Sequence, residues 1–477
     1  MVYFQISAGD IEILNYPSEF YEFLKSKARI AKKKIVLSSL YIGTSEKEKQ
    51  LINAIEENLK TNVNLKVIIL LDNLRGLRVE KISKLNSLSL LENLIRNYPK
   101  QVEVNLFHTN NLKGLLKKLI PQRLNEVFGL MHMKIYCFDD LTMLSGANLS
   151  KDYFQNRQDR YISFNNKNLT DFFLNLVQTV SSFSNRVELI KSGHLQHDQS
   201  TNHEILNNNS GFYLKSNTLP LTEIKKSLLT RILLPFYFDR LTEFEKTEFL
   251  KEDEKNNDPQ KLILDENINL NDIFFKNLNT YTLKLILKKF QETNKSLKQI
   301  ETDTLLFPTL QMGEFNLRHD ENFLSEILKY HCRVDIGTGE NQGQQLKLND
   351  FNELNIDSNS HCINNLCNRK FFISSAYLNF SDSFLKNLFT LNLKNNLKLD
   401  NQVFILTASP KSNGFFKSKG VSQFLPAAYT YLLQIFLKKL ENFNQKHQLT
   451  NVKEGNNFLD IFEYEKENWT FHCKGKK

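Results

Sequence analysis

The sequence predicts an α/β fold built from two related α/β/α sandwich halves, with a site formed between them and a second half that is incomplete. Three observations carry this. Short apolar runs alternate with amphipathic helical patterns from residue 17 onward, the signature of layered α/β structure. The second half repeats the order of the first. The same short motif, His-x-Lys, occurs once per half, at His132/Lys134 and at His472/Lys474.

In chain order, residues 17–33 carry Phe20, Phe23, Leu24, Ala28 and Ala31 at helical spacing, with Pro17 near the first turn. Residues 35–41 read as a strand, 46–59 as a helix and 67–71 as a fully apolar strand. The loop that follows, residues 72–78, offers Arg75 and Arg78. They are either a bidentate grip on phosphate or part of a solvated loop. Residues 88–98 are helical and 102–107 a strand. Residues 113–123 are basic and interleaved with Leu and Ile, so they form either a helix with one buried face or a contact with an acidic lipid surface. Strands follow over 131–138, 142–145 and 160–164, and an amphipathic helix over 169–183 closes the half. The expected domains are 1–188, a polar linker over 189–215, and 216–477, the last with a helical insertion over 273–290.

The repeat is specific. Lys370-Phe371-Phe372-Ile373-Ser374-Ser375-Ala376-Tyr377 matches Lys34-Ile35-Val36-Leu37-Ser38-Ser39-Leu40-Tyr41. Residues 403–406 stand where 67–71 stand, and 459–464 where 102–107 stand. From Ile35 to His132 is 97 residues, and from Phe371 to His472 is 101. A pseudo-twofold arrangement would bring the two motifs to the interface between halves.

Composition sets the class of partner. The 477-residue chain has a formal net charge of +9 and an isoelectric point near 9.0. That balance suits an anionic partner, whether acidic lipid, nucleotide or nucleic acid, or simply a lysine-rich soluble surface. No apolar run approaches the roughly 18 residues of a membrane span. Five cysteines, at 137, 332, 362, 367 and 473, lack paired spacing and fit free thiols in a reducing compartment. His361, Cys362 and Cys367 read as ordinary side chains rather than a metal site, so no metal and no cofactor is expected. Residues 1–10 are neither a secretory signal nor a transit peptide.

The chemistry centres on His132-Met133-Lys134-Ile135-Tyr136-Cys137-Phe138-Asp139, that is, His-x-Lys-x4-Asp. On a strand, residues i and i+2 share a face, so His132 and Lys134 would point into one space. Histidine serves as nucleophile or proton carrier near neutral pH. Lysine supplies fixed charge for a phosphate oxygen. Two such pairs suit phosphoryl transfer on a phosphodiester-like bond. One imidazole attacks phosphorus, and the other gives a proton to the leaving group and takes one from the acceptor.

The motif resembles the phospholipase D superfamily signature. The flanks narrow it: Leu144-Ser145-Gly146-Ala147-Asn148-Leu149-Ser150 and Asn156-Arg157-Gln158-Asp159-Arg160-Tyr161. With these the chain is similar to the eukaryotic mitochondrial CDP-diacylglycerol–glycerol-3-phosphate 3-phosphatidyltransferases. The resemblance implies CDP-diacylglycerol as donor, sn-glycerol 3-phosphate as acceptor and CMP as leaving group. It also implies peripheral contact with an acidic membrane and a mitochondrial setting. His132, Lys134, His472 and Lys474 would be catalytic. Asp139 belongs to the signature, with a structural role expected. Ser145 and Asn148 would bind phosphate. Asp159, 27 residues after His132, would orient that nucleophilic histidine, unless it pairs with Arg157 or Arg160 instead. Residues 407–416 and 419–421 resemble a family loop lining the substrate channel, with Asn413 either near the ligand or in a plain turn.

The second half departs from the pattern. The chain ends three residues after Lys474, with no counterpart of Ser145-Gly146-Ala147-Asn148 or of the strands beyond. Residues 475–477 do not read as a strand. A truncated chain or incomplete gene model is the expectation, leaving an exposed sheet edge. Two alternatives stand beside the transferase: a nuclease or phosphodiesterase of the same fold, and an inactive lipid-binding remnant. Nucleic acid ranks lower because the linker lacks interleaved aromatic and basic residues.

Overall fold

The central strands of the first half, Lys34–Ser39, Lys66–Asp72 and Ile135–Phe138, bury apolar side chains on both faces because helices cover both. The computed structural model of the chain describes residues 3–109, 112, 129–189, 203–205, 212–215, 221–228, 231–232, 303–315, 317–320, 323, 370–393, 402–446 and 459–476. It divides into two compact units, Met1–His319 and Asp320–Lys477. The basic segment 113–123, the helix expected over 273–290, and Cys332, His361, Cys362 and Cys367 lie outside the described residues.

In the first unit the elements run β1 (Phe4–Ile6), β2 (Ile11–Leu14), α1 (Pro17–Ile30), β3 (Lys34–Ser39), α2 (Glu46–Thr61), β4 (Lys66–Asp72), α3 (Asn73–Gly76), α4 (Ser87–Asn97) and β5 (Val102–Phe107). They continue with β6 (Ile135–Phe138), β7 (Leu141–Ser145), α5 (Lys151–Gln155), β8 (Tyr161–Asn165), α6 (Lys167–Ser182), β9 (Asn185–Leu189), β10 (His203–Ile205), β11 (Phe212–Lys215) and α7 (Leu221–Leu228). Ten strands form one mixed sheet in the order β10-β11-β9-β5-β4-β3-β6-β7-β8-β2. The centre, β3-β4-β5, is parallel, and β6 joins β3 antiparallel.

Strand alternation sorts the core. Ile35, Leu37, Val67, Ile69 and Val104 pack with α1, α2 and α4. Val36, Leu70, Ile135 and Cys137 face the other way, onto Phe172, Leu176, Val177 and Val180 of α6. Burial pushes the Cys137 thiol up to about 12, so it stays protonated in this layer.

The polar stretch 189–215 is not a plain linker. Phe212–Lys215 hydrogen-bonds along Asn185–Leu189, and His203–Ile205 adds beyond it. The unit boundary falls at His319/Asp320 instead. Phe212 and Leu214, an alternating buried pair inside a polar stretch, drive this pairing.

The second unit holds β12 (Lys370–Ser375), α8 (Asp382–Leu393), β13 (Gln402–Ala408), α9 (Leu425–Lys446), β14 (Leu459–Tyr464) and β15 (Lys474–Lys476). Its sheet order is β14-β13-β12-β15. Ile373, Val403 and Ile405 pack with Leu388 and Phe389 of α8 and Phe436 of α9. On the opposite face Phe372, Phe404 and Phe462 stack in a row. Lys474–Lys476 does form a strand, contrary to the sequence reading, because ladder hydrogen bonds use backbone alone and Ser374 and Ser375 present it.

Candidate functional site

The path to His132 begins at the end of β4. Asp72 is buried and caps α3, its Oδ1 accepting the Arg75 N–H at 3.0 Å. Its Oδ2 accepts the Met131 N–H at 3.0 Å, which ties the residue before His132 to the sheet. Residues 72–78, expected as a loop, thus begin with a short helix. The Arg75 guanidinium lies 4.9 Å over the Tyr41 ring. The Arg78 N–H donates to the Arg75 carbonyl, and the Arg78 side chain is half-buried.

The strand expected from residue 131 starts only at Ile135. The last pair of β3 with β6 is Ser38 with Ile135, and β3 ends at Ser39, so the ladder runs out at Lys134. His132 and Lys134 occupy the extended segment just before it. They differ in exposure: His132 is exposed, while Lys134 is buried and donates from Nζ to the His132 carbonyl at 2.8 Å.

Asp139 sits at the opposite end of β6 from His132, with φ of +52°. Its carboxylate accepts the N–H groups of Lys32 and Lys33 at 2.7 Å each and of Lys34 at 3.0 Å. Burial pushes this carboxyl upward. The three backbone donors, with the Lys33 charge, outweigh it and hold the pKa below its ordinary value.

The Ser-Gly-Ala-Asn turn leaves β7 beside this segment. Ser145 Oγ donates to the Arg160 carbonyl at 2.7 Å and accepts the Ala147 N–H at 3.0 Å. Tyr136 OH donates to the Ala147 carbonyl at 2.6 Å, and burial raises its pKa well above normal. Asn148 is buried. Its Oδ1 accepts from Ser39 Oγ at 3.4 Å and its Nδ2 donates to Tyr153 OH at 3.2 Å. Burial raises the Tyr153 hydroxyl to about 12. Asp159 is buried and accepts the Arg160 N–H at 2.8 Å. A Cβ at Gly146 would lie 2.6 Å from Asp159 Oδ1, so glycine is what lets the carboxylate approach this turn. Arg157 pairs with Asp152 at 3.6 Å and lies over the Tyr153 ring.

The second unit repeats four strands of the first: β14-β13-β12-β15 stand in the order of β5-β4-β3-β6. Lys34 pairs with Lys66 in β3-β4, and Lys370 with Gln402 in β12-β13. Ser39 Oγ donates to the Tyr41 carbonyl at 3.0 Å, and Ser375 Oγ to the Tyr377 carbonyl at 3.1 Å. Lys474 pairs with Ser375 in β12-β15. Continuing the β3-β6 register by one step sets Lys134 opposite Ser39, the matching place. His472 is buried, edge-on to the Tyr377 ring at 6.2 Å. Lys474 Nζ lies 3.0 Å from Nε2, 3.1 Å from Nδ1 and 3.2 Å from the carbonyl of His472. Asn413 is buried and accepts the Phe415 N–H at 2.9 Å, the geometry of a turn.

Sequence reading missed Asp72 and Tyr377. Asp72 had a signal, an acid at a strand's end followed by a helix start. Tyr377 had one too, its match to Tyr41 in the repeat.

Comparison with known proteins decides the family. The family described as "Cardiolipin synthase, PLD-like domain" matches residues 24–180. A Schizosaccharomyces pombe CDP-diacylglycerol–glycerol-3-phosphate 3-phosphatidyltransferase is 31% identical, over 99% of this chain and 79% of that one. The mitochondrial enzyme of that name from Gallus gallus is 30% identical, over 99% of this chain and 69% of its own. The chain belongs to this phosphatidyltransferase family. It spans about two thirds of such relatives' length, 64% of a Dictyostelium discoideum protein named as a probable enzyme of this kind and 69% and 79% of the Gallus gallus and Schizosaccharomyces pombe enzymes. The fold is phospholipase D-like: the structure of phosphatidylserine synthase from Haemophilus influenzae Rd KW20 superposes with a TM-score of 0.52 at 16% identity. That match covers 100% of this chain and 78% of the other.

Proposed function

We propose that this phosphatidyltransferase-family chain moves a phosphatidyl group from CDP-diacylglycerol to sn-glycerol 3-phosphate. The products would be CMP and phosphatidylglycerophosphate, a precursor of phosphatidylglycerol and cardiolipin. The observation that carries the reading is the matched position of the two lysines: Lys474 pairs with Ser375, and Lys134 stands one step past the Ser38–Ile135 pair, towards the corresponding Ser39, in a chain related over 99% of its length to enzymes so named.

The chemistry is a double displacement. An imidazole nitrogen of His132 attacks the phosphatidyl phosphorus, and the bond from phosphorus to the CMP oxygen breaks. CMP leaves with a proton from the His472 imidazolium. The acceptor hydroxyl then attacks the phospho-histidine, the P–N bond breaks, and His472 takes the hydroxyl proton. Lys134 and Lys474 hold positive charge against the non-bridging oxygens. Ser145 and Asn148 are already engaged within the turn, so their part is to shape it. Asp159 acts as the orienting carboxylate of an imidazole, and Arg75 and Arg78 draw phosphate towards the β4 end. Asp139 holds backbone rather than protons. The lipid donor implies peripheral membrane contact, and the relatives named mitochondrial support that compartment.

Purified protein with CDP-diacylglycerol labelled in the cytidine tests this. Release of CMP that requires glycerol 3-phosphate, and that disappears in His132→Ala, is expected. Nucleic-acid cleavage without CMP release would replace the reading by the nuclease alternative, and binding without turnover would replace it by the remnant.

A further inference from the structure

The segment from Pro410 into α9 combines charge and apolar surface of one kind. Between residues 410 and 440 stand Lys411, Lys417, Lys419, Lys438 and Lys439, and no Asp or Glu. Lys411 and Lys439 are committed to Glu465 and Asp382. Lys417 lies 5.4 Å from the centre of the Phe416 ring. Four large apolar side chains face solvent here: Phe416, Val421 at 86%, Phe424 at 64% and Tyr431 at 63% exposure. Lys417 and Gly420 both hold φ near +60°, and the chain turns back on itself there. An open groove of about 640 Å³ runs along it, lined by Phe416, Lys417, Gln423, Pro426 and Tyr431 among others.

We propose that this face, residues 416–431 of the second unit, docks the protein on an anionic phospholipid bilayer. The argument is complementarity. A protein partner is met by a dry centre inside a polar rim of mixed sign. Here the charges are of one sign and interleave with aromatic and aliphatic tips, which suits a plane of phosphate headgroups over acyl chains. The first turns of α9 agree. From Leu425 to Leu437 only Thr430 and Gln434 break the run of apolar and tyrosine side chains. Phe436 is buried against the sheet while Tyr431 faces outward. Among the described residues no helix is long and apolar enough to cross a membrane. The proposal rests on the lipid-substrate reading for its purpose, although docking is measured without turnover.

The test is flotation of the full chain with vesicles of phosphatidylcholine alone or mixed with phosphatidylglycerol. The expected result is co-flotation with the anionic vesicles that weakens as salt rises, reduced on the order of tenfold in the Phe424→Asp, Lys417→Glu double variant. Phe424→Ser, a milder change, is run beside it with thermal melting to separate folding from docking. A wild-type chain that stays with the soluble fraction overturns the proposal, as do variants that melt normally and float undiminished. Self-association lost in the same variants would make the face an interface between copies instead. CMP release from detergent-dispersed donor is read in parallel. Flotation without CMP release leaves docking standing and removes the transferase reading, and CMP release without flotation does the reverse.

Discussion

Asp72 Oδ2 accepts the backbone N–H of Met131 at 3.0 Å, so a buried carboxylate at the end of β4 fixes the residue that precedes His132. The same carboxylate caps α3 through the Arg75 N–H. Asp72→Ala would leave two donors without their acceptor, a cost of about 1–3 kcal/mol for each buried group. Asp72→Asn keeps one oxygen and should fall between. Thermal melting reads the stability loss. Turnover should fall further than melting predicts, because His132 loses its anchor. A variant that melts lower but turns over normally would show that Met131 does not need this tether.

Lys134 is the second case of backbone held by side chain. Its Nζ donates to the His132 carbonyl from a buried position, so the ammonium braces the loop and, in the proposed reaction, would also supply charge. Lys134→Met keeps the length and the apolar stem and removes the ammonium. Turnover should drop by roughly a hundredfold or more, the scale of losing one electrostatic stabiliser. KM for the donor should change much less. A KM effect alone would assign Lys134 to binding.

Asp139 carries a pH dependence of defined sign. Burial raises its pKa, but the N–H groups of Lys32, Lys33 and Lys34 favour the carboxylate and bring the folded-state value below the ordinary 3.8. A depressed folded-state pKa adds stability above the unfolded value and loses it as pH falls through the folded one. Asp139→Asn should therefore be less stable than wild type at pH 7 by about 2 kcal/mol, the scale of hydrogen bonds to a charged group. The gap should narrow under strongly acid conditions. Urea titrations of both proteins across that range measure it.

These positions show what the sequence made legible. Strands whose two faces are both covered read as apolar runs, unbroken over 67–71 and interrupted by Ser38-Ser39 in 35–41 and by Glu103 and Asn105 in 102–107, and the matched pairs Lys34–Lys66 and Lys370–Gln402 follow from their repeat. The His-x-Lys pairs were legible as a motif. Their local geometry was not, since the strand's start depends on where β3 ends, a tertiary fact. Phe212–Lys215 was hidden by polar neighbours that mask its two buried positions. The helix over Leu425–Lys446 went unread because its first half lacks a polar face, and periodicity is visible only against contrast. Lys474–Lys476 had no side-chain pattern at all, and pairing through backbone leaves none to read.

Gly146 and Asp159 supply the sharpest test of the turn that carries Asn148. A methyl group at Gly146 would meet Asp159 Oδ1 at 2.6 Å and Oδ2 at 2.8 Å, both inside contact distance for a carbon. The carboxylate is buried and bonded to the Arg160 N–H, so it cannot swing away freely. Gly146→Ala should cost about 1–3 kcal/mol by overpacking. Asp159→Ala removes the obstacle along with its own hydrogen bond. In that background the added methyl should cost far less, giving a coupling of about 1 kcal/mol or more in a double-mutant cycle. Melting curves of the four proteins measure it. Additive losses would mean that the turn yields instead of the carboxylate, and turnover in Gly146→Ala would then be spared.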